Sequence, residues 1–443
     1  MALGSWSIIS SPSMLALIPM IIFIVLCFFD KIDSLFAAFV SFLIGCLICG
    51  WGPNEMGKII LVAFGSTLGL MGLISAIGNA LAVQMNQTGV SKTLCLWIVH
   101  KVGINSRKKA ILASILCVLI VTLLLGTMMG AIAICAPILI PVVAATGLTP
   151  SALAVIFQTA AETGLIWGPF GAPTLIVMEL TNLSYADYMI WSAVPFGVVW
   201  CIVLYFVAEK INKKTESDEH FDVESLPKTD EVSTSGEMRT TIAFLMTFII
   251  LVGYATIKIQ ATSYVIFVLM FLFLVVSLVG RVPLDLSVKN FKKGMANGLT
   301  IWLLFVALEC LTNAVEAGGG FVALGKLFTG MGAMMNQTMV MIVGSTVGAF
   351  GISGAAVAQI KITHNLFLDA VKASGLDMRL WAICLIAASR VTNNIYPNIN
   401  MFASMGLAQS KNLKHMLYAG WITAMSSYLW VIIWSFIGPM IFK

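Results

Sequence analysis

The strongest constraint on this chain is a series of long apolar runs, each close to the length of a membrane crossing and separated by short polar connections. A helix needs roughly 20 apolar residues to cross the bilayer core. By that measure candidate spans lie at 14–29, 34–50, 58–83, 108–147, 151–181, 187–208, 239–257, 262–280, 296–315, 336–372, 378–405 and 416–441, with two passes each in 108–147 and 336–372. The runs are continuous rather than alternating, which favours helices over a β-barrel. Only 10% of residues are charged and 59% are apolar, with mean hydropathy +0.99. A soluble domain carries about 25% charged residues, so this surface must face lipid. The expected fold is an all-α polytopic membrane protein with about 12 transmembrane helices.

Charge placement reports topology. Basic residues gather at Lys101, Arg107, Lys108 and Lys109; at Lys210, Lys213 and Lys214; at Arg281, Lys289, Lys292 and Lys293; and at Lys411 and Lys414. The positive-inside rule puts all four groups on the cytoplasmic side. Lys372 and Arg379 then fall outside, against the rule. Residues 1–13 hold no basic segment, and the first apolar run is followed by Asp30 and Lys31 rather than a cleavage site, so it is expected to remain as a span. The longest polar stretch, 209–238, is expected to be a cytoplasmic linker between repeats at 1–208 and 239–443.

The two halves resemble each other. At an offset of 228, Gly147-Leu148 falls on Gly375-Leu376, Ala160 on Ala388, Glu162 on Arg390 and Pro169 on Pro397. At an offset of 230, Gly50 meets Gly280 and Pro53 meets Pro283. Each half has a Gly-rich break in an apolar run: Gly126-Thr127-Met128-Met129-Gly130 in the first, 344–354 in the second. A helix then follows that is interrupted by ETGLIWGPFGAPT (162–174) or by RVTNNIYPNIN (390–400). With the topology above, the second copy starts from the opposite side, giving inverted repeats with re-entrant or broken helices.

Breaking a helix inside hydrocarbon strands amides and carbonyls at several kcal/mol each. Such breaks survive where protein, water or substrate covers them, and freed helix starts favour anions. Kinking or close packing explains any single Gly or Pro equally well; four breaks related by pseudo-symmetry point to a site. Glu162, Glu309, Lys361, His364 and Arg390 lie deep in apolar runs, each costing roughly 2.5–3.5 kcal/mol at the centre of a span. Lys361, His364 and Asn365 share one helix face. Arg390, Asn393 and Asn394 open the second interruption. Lys361 and Arg390 suit a carboxylate. An ion pair of Glu162 with Arg390 or Lys361 is the structural alternative, as is packing for Glu309 and His364. Glu162 and His364 are the candidates to carry a coupling ion.

The run GTMMGAIAICAPILIPVVAATGLTPSALAVIFQTAAETGLIWGPFGAPTLIV resembles the first-half core of carriers in the ion transporter superfamily, with gluconate and lactate permeases as the nearest likeness. The second half is similar in layout and weaker in letters. The resemblance implies proton- or sodium-coupled uptake of a small carboxylate by a homodimer in a bacterial inner membrane. Carried over residue by residue, it implies substrate contacts at Thr127, Met128, Thr163, Gly164, Gly168, Pro169, Gly171, Ser353, Asn393, Asn394 and Asn398. The His- and Pro-rich stretch of gluconate permeases is replaced by Ile166-Trp167-Gly168-Pro169-Phe170-Gly171-Ala172-Pro173, which speaks against sugar acids.

The expected function is symport of a small organic anion with H⁺ or Na⁺. A Na⁺/H⁺ antiporter of the same superfamily and an amino-acid carrier are the alternatives. Expected partners are the anion, the coupling cation, lipid and a second copy, with no nucleic acid and no resident cofactor or metal. The sequence has no HExxH, no GxxxxGK[ST] and no paired catalytic carboxylates, so an enzyme is not expected. The nine cysteines are scattered, and the Cys46/Cys49 pair sits in an apolar run without a second pair; both read as packing.

Overall fold

The computed structural model describes residues 2–27, 32–222, 232–258, 263–323, 326, 336–349 and 356–442. Its helices in the first half are α1 (Met14–Cys27), α2 (Ser34–Cys49), α3 (Pro53–Phe64), α4 (Thr67–Gln87), α5 (Val90–Val102), α6 (Arg107–Leu125), α7 (Met128–Ala144), α8 (Pro150–Trp167), α9 (Ala172–Thr181) and α10 (Tyr185–Thr215). The second half contributes α11 (Ser235–Lys258), α12 (Tyr264–Val279), α13 (Leu284–Ala317), α14 (Gln337–Ala349), α15 (Ala356–Ser374), α16 (Met378–Ile395), α17 (Ile399–Leu407) and α18 (Leu413–Ile441). Among the described residues, 6 helices are long and apolar enough to cross a bilayer, and several shorter apolar ones accompany them. The chain is an all-α, multi-pass membrane protein.

Helix boundaries repeat with the offset read from the letters. Both ends of α8 (150 and 167) fall 228 residues before those of α16 (378 and 395), and both ends of α2 (34 and 49) fall 230 before those of α12 (264 and 279). Helices α6 and α7 pack against each other, as do α14 and α15, and each pair is closed at its base. Arg107 sits beside Gly147 at the first base. At the second, the Gln337 amide donates to the carbonyls of Ser374 and Gly375, at 3.2 and 3.1 Å.

The hairpins enter from opposite ends. Arg107 pairs with Glu216, just beyond the end of α10, at 2.7 Å. Near the start of α10 the Ser192 hydroxyl donates to the Arg379 carbonyl at 3.0 Å, beside the second hairpin's base. The broken helices also run antiparallel: α8 packs on α17, and α16 packs on α9.

Repeat-equivalent residues therefore meet where the halves cross. Gly72 of α4 faces Trp302 of α13, its equivalent at an offset of 230. Glu162 faces Arg390, its equivalent at an offset of 228. Both contacts join positions that are equivalent under the sequence offset. Helices α4 and α13 are packed backbone to backbone, since a Cβ at Gly294 would stand 2.2 Å from the Ala80 Cα and one at Gly298 2.5 Å from the Ala76 Cα.

Two sequence expectations change. The region between 83 and 108, read as a connection, holds α5, whose buried face includes Leu94, Cys95, Leu96 and Val99. The run 58–83 is divided between α3 and α4 at Gly65-Ser66, where the Ser66 hydroxyl caps α4 by accepting from Gly69 N.

Asp377 begins the helix that carries Arg390. Its Oδ1 accepts from the Arg379 backbone N–H at 2.8 Å, and its Oδ2 from Arg379 Nη2 at 2.7 Å. Those Arg379 hydrogen bonds hold its carboxyl below the ordinary 3.8. A depressed folded value means that the stabilisation is present above that ordinary value and is lost as pH falls below it. Asp377→Ala is expected to cost about 1 kcal/mol, read as a lower unfolding midpoint in detergent at neutral pH.

Candidate functional site

The first hairpin tip and the two helix breaks border a cavity of about 170 Å³ whose lining mixes polar and apolar side chains. The first tip supplies Gly126, Thr127, Met128 and Met129; Glu162, Arg390 and Asn393 come from the helices that precede the breaks. Ala172 and Pro173 open α9, Ala356 and Val357 belong to α15, and Asn400 lies in the first turn of α17. Ser75 and Asn79 of α4 and Ile301 and Phe305 of α13 complete the wall. Three helix starts thus converge, those of α7, α9 and α17. Each presents N–H groups and a partial positive charge of roughly half an elementary unit. Thr127 is the N-cap residue of α7 without making a side-chain cap bond, and its buried hydroxyl has no partner. Positive helix ends and an unengaged hydroxyl favour an anion with oxygen acceptors.

Two buried charges meet between the halves. Arg390 Nη1 lies 3.7 Å from Glu162 Oε2, and both residues are 1% exposed. Asn394 donates to Glu162 Oε2 at 2.7 Å and Gln158 to Oε1 at 2.9 Å. Ser404 of α17 in turn donates to Gln158 Oε1 at 3.0 Å. The carboxylate is therefore held by both halves. A buried carboxylate is tolerated only with such partners.

The breaks are shorter than the sequence suggested. Helix α8 continues through Glu162, Thr163 and Gly164 to Trp167, and α16 continues through Arg390, Asn393 and Asn394 to Ile395. The interruptions are confined to Gly168–Gly171 and Tyr396–Asn398. The physical reason is that every unwound residue strands backbone groups, so unwinding stops where Pro169 or Pro397 no longer enforces it.

The stranded carbonyls find partners. Thr174 Oγ1 donates to Leu165 O and Ile166 O, both at 3.0 Å; Tyr188 donates to Ile166 O at 2.9 Å and Tyr185 to Trp167 O at 2.7 Å. At the second break the Asn398 amide donates to Asn393 O at 2.8 Å and Tyr396 O at 3.1 Å, and its Oδ1 caps α17 at Met401 N. Gln158, Thr174, Tyr185 and Tyr188 were not singled out in the sequence. Their polarity within apolar runs was the available signal, and it does not say which break each one serves.

Other sequence candidates stand elsewhere. Gly164, Gly168 and Gly171 allow close approach: a Cβ would lie 2.6 Å from Leu119 O, 2.7 Å from Leu123 O and 1.9 Å from Leu165 O respectively. Thr163 donates to Thr159 O at 2.9 Å within α8. Pro169 faces a separate apolar pocket beside Phe170 and Tyr264. Lys361 does not reach Glu162. Its amine is held by both Glu309 oxygens at 2.8 and 2.6 Å, joining α15 to α13. His364 is buried and accepts at Nδ1 from Trp381 Nε1 at 3.1 Å. Ser353 lies outside the described residues.

The comparisons agree with this architecture. Residues 2–212, just under half of the chain, match the family model described as "Tripartite ATP-independent periplasmic transporter, DctM component". No curated protein matches the sequence. Among solved structures, the YdaH transporter of Alcanivorax borkumensis, described as having an unusual topology, superposes with a TM-score of 0.57. The match covers 95% of this chain and 98% of that one at 13% identity, so what is shared is the fold. These matches support an all-α, multi-pass membrane fold. They lend nothing to the narrower likeness to gluconate and lactate permeases.

Proposed function

We propose that this chain is a secondary active carrier that moves a small organic anion together with H⁺ or Na⁺. The observation that carries the reading is the convergence of three helix starts, the unengaged Thr127 hydroxyl and the Arg390 guanidinium on one cavity between the two halves. A carboxylate fits that field, and a small one fits that volume. Entry of the anion beside Arg390 would compete with Glu162 for the guanidinium, which offers a physical link between substrate binding and the protonation or cation binding of Glu162. The DctM model belongs to a periplasmic transporter system, and residence in a bacterial inner membrane follows as part of the proposal, as does a homodimer. The antiporter alternative requires Glu162 to exchange sodium for a proton unaided, yet Arg390, Asn394 and Gln158 already engage both of its oxygens.

The test is counterflow of radiolabelled mono- and dicarboxylates in proteoliposomes, with imposed sodium or proton gradients. Saturable uptake that responds to one gradient and competes with unlabelled carboxylate is expected. Sodium-driven pH change without any carboxylate uptake would move the assignment to the antiporter.

A further inference from the structure

Three cysteines that are far apart in sequence meet outside the cavity. Cys95 of α5, Cys117 of α6 and Cys135 of α7 are buried, and their sulfurs all lie within 4.8 Å of one another. Cys95 Sγ and Cys135 Sγ are 3.5 Å apart, and Cys117 Sγ approaches the Cys95 carbonyl at 3.6 Å. Each of these helices carries a single cysteine, and all three face one point. Two further groups stand beside it. Ser91 is one turn before Cys95 and Ser114 one turn before Cys117, on the same helix faces. Both hydroxyls are fully buried and without a hydrogen-bond partner.

We infer that Cys95, Cys117 and Cys135 form a binding site for a soft, thiophilic monovalent cation of the Cu(I) class. Thiolate ligands select soft metals, and Cu(I) accepts three sulfurs. Zinc prefers four ligands in a tetrahedron, and the cluster comprises three cysteines with no histidine or carboxylate in the group. The next turn of each helix presents Val99, Val121 or Leu139, all buried, so the surroundings are apolar. Charge decides the valence. A divalent ion would need two thiolates for neutrality, whereas a monovalent ion needs one, and buried net charge is costly. Binding converts at least one thiol to a thiolate and passes its proton to water, with no change of oxidation state. Affinity therefore rises with pH. The Ser91 and Ser114 hydroxyls supply donors one turn from the sulfurs, the kind of outer support that tunes a metal–thiolate site. An occupied site would tie α5 to both legs of the first hairpin.

The experiment uses the full chain purified in detergent, kept reduced and anaerobic, and titrated with Cu(I) held by a competing chelator. One equivalent is expected to bind, with a thiolate-to-copper charge-transfer band in the ultraviolet and a sulfur-only first shell of three ligands by X-ray absorption. Cys95→Ser, Cys117→Ser and Cys135→Ser are each expected to weaken binding about tenfold or more, the scale set by losing support at a metal site. Cys310→Ser and Cys384→Ser, which alter buried cysteines elsewhere, are expected to leave it unchanged. The absorption measurement needs no variant, so a substitution that fails to fold does not stop the test. A first shell of nitrogen or oxygen, the absence of a saturable equivalent, or equal loss in the Cys310 and Cys384 variants would overturn the assignment.

Discussion

Arg390→Gln is expected to abolish anion counterflow and to destabilise the protein by about 3–5 kcal/mol, because it leaves the Glu162 carboxylate buried without its cation. Glu162 is 1% exposed and lies 3.7 Å from Arg390, so solvent offers little compensation. The double variant Glu162→Gln/Arg390→Gln separates structure from function. Removing both charges is expected to restore most of the stability, since the remaining amides can hydrogen-bond with Asn394 and Gln158. Transport is expected to stay absent, because the anion has lost its guanidinium. Thermal unfolding in detergent gives the first quantity and proteoliposome counterflow the second. Full transport in the double variant would take Arg390 out of the substrate site and leave it a structural partner of Glu162.

The second large effect concerns backbone rather than charge. Gly171→Ala would place a Cβ 1.9 Å from the Leu165 carbonyl oxygen and 2.9 Å from its carbon. Neither atom is the end of a flexible side chain. The break between α8 and α9 must therefore open, releasing the carbonyls that Thr174, Tyr185 and Tyr188 now satisfy. A loss of about 3 kcal/mol or more is expected, at the upper end of overpacking costs, together with loss of uptake. Gly253→Ala is the matched control. Gly253 lies in α11, where an added Cβ meets nothing within 4 Å. There the change should be neutral or stabilise by up to about 1 kcal/mol, as helix propensity dictates. If the two variants unfold at the same temperature, close packing at the break is not what holds this part of the fold.

Much of the architecture was legible before the structure because lipid permits so few solutions. Apolar length and the lack of charge are enough to require helices, and the offset of 228 that aligns Pro169 with Pro397 also aligns both ends of α8 with those of α16. Glu162 and Arg390 were legible for a related reason. Ionisable groups in apolar runs are costly enough to stand out, and their equivalence under the repeat placed them where two inverted halves can touch.

Neighbours across the fold were not legible. Lys361 shares a helix face with His364, but only packing shows that it belongs to Glu309, and that His364 belongs to Trp381. Glycine in a membrane helix has the same letter whether it lines a cavity, as Gly126 does, or admits a neighbouring backbone, as Gly164 does. Cysteine spacing hid the Cys95–Cys117–Cys135 cluster, because its members come from three helices rather than one motif.

The sequence by itself determined the medium, the helical class, the duplication and the identity of the buried charges. Each of these follows from one-dimensional facts: run length, composition, periodicity and the high cost of polarity in hydrocarbon. Tertiary structure alone decided where unwinding stops, which partner each buried polar group takes and which side chains reach the cavity. Those outcomes depend on satisfying every hydrogen-bonding group at once among helices distant in the chain, and spacing along one helix carries no record of its neighbours.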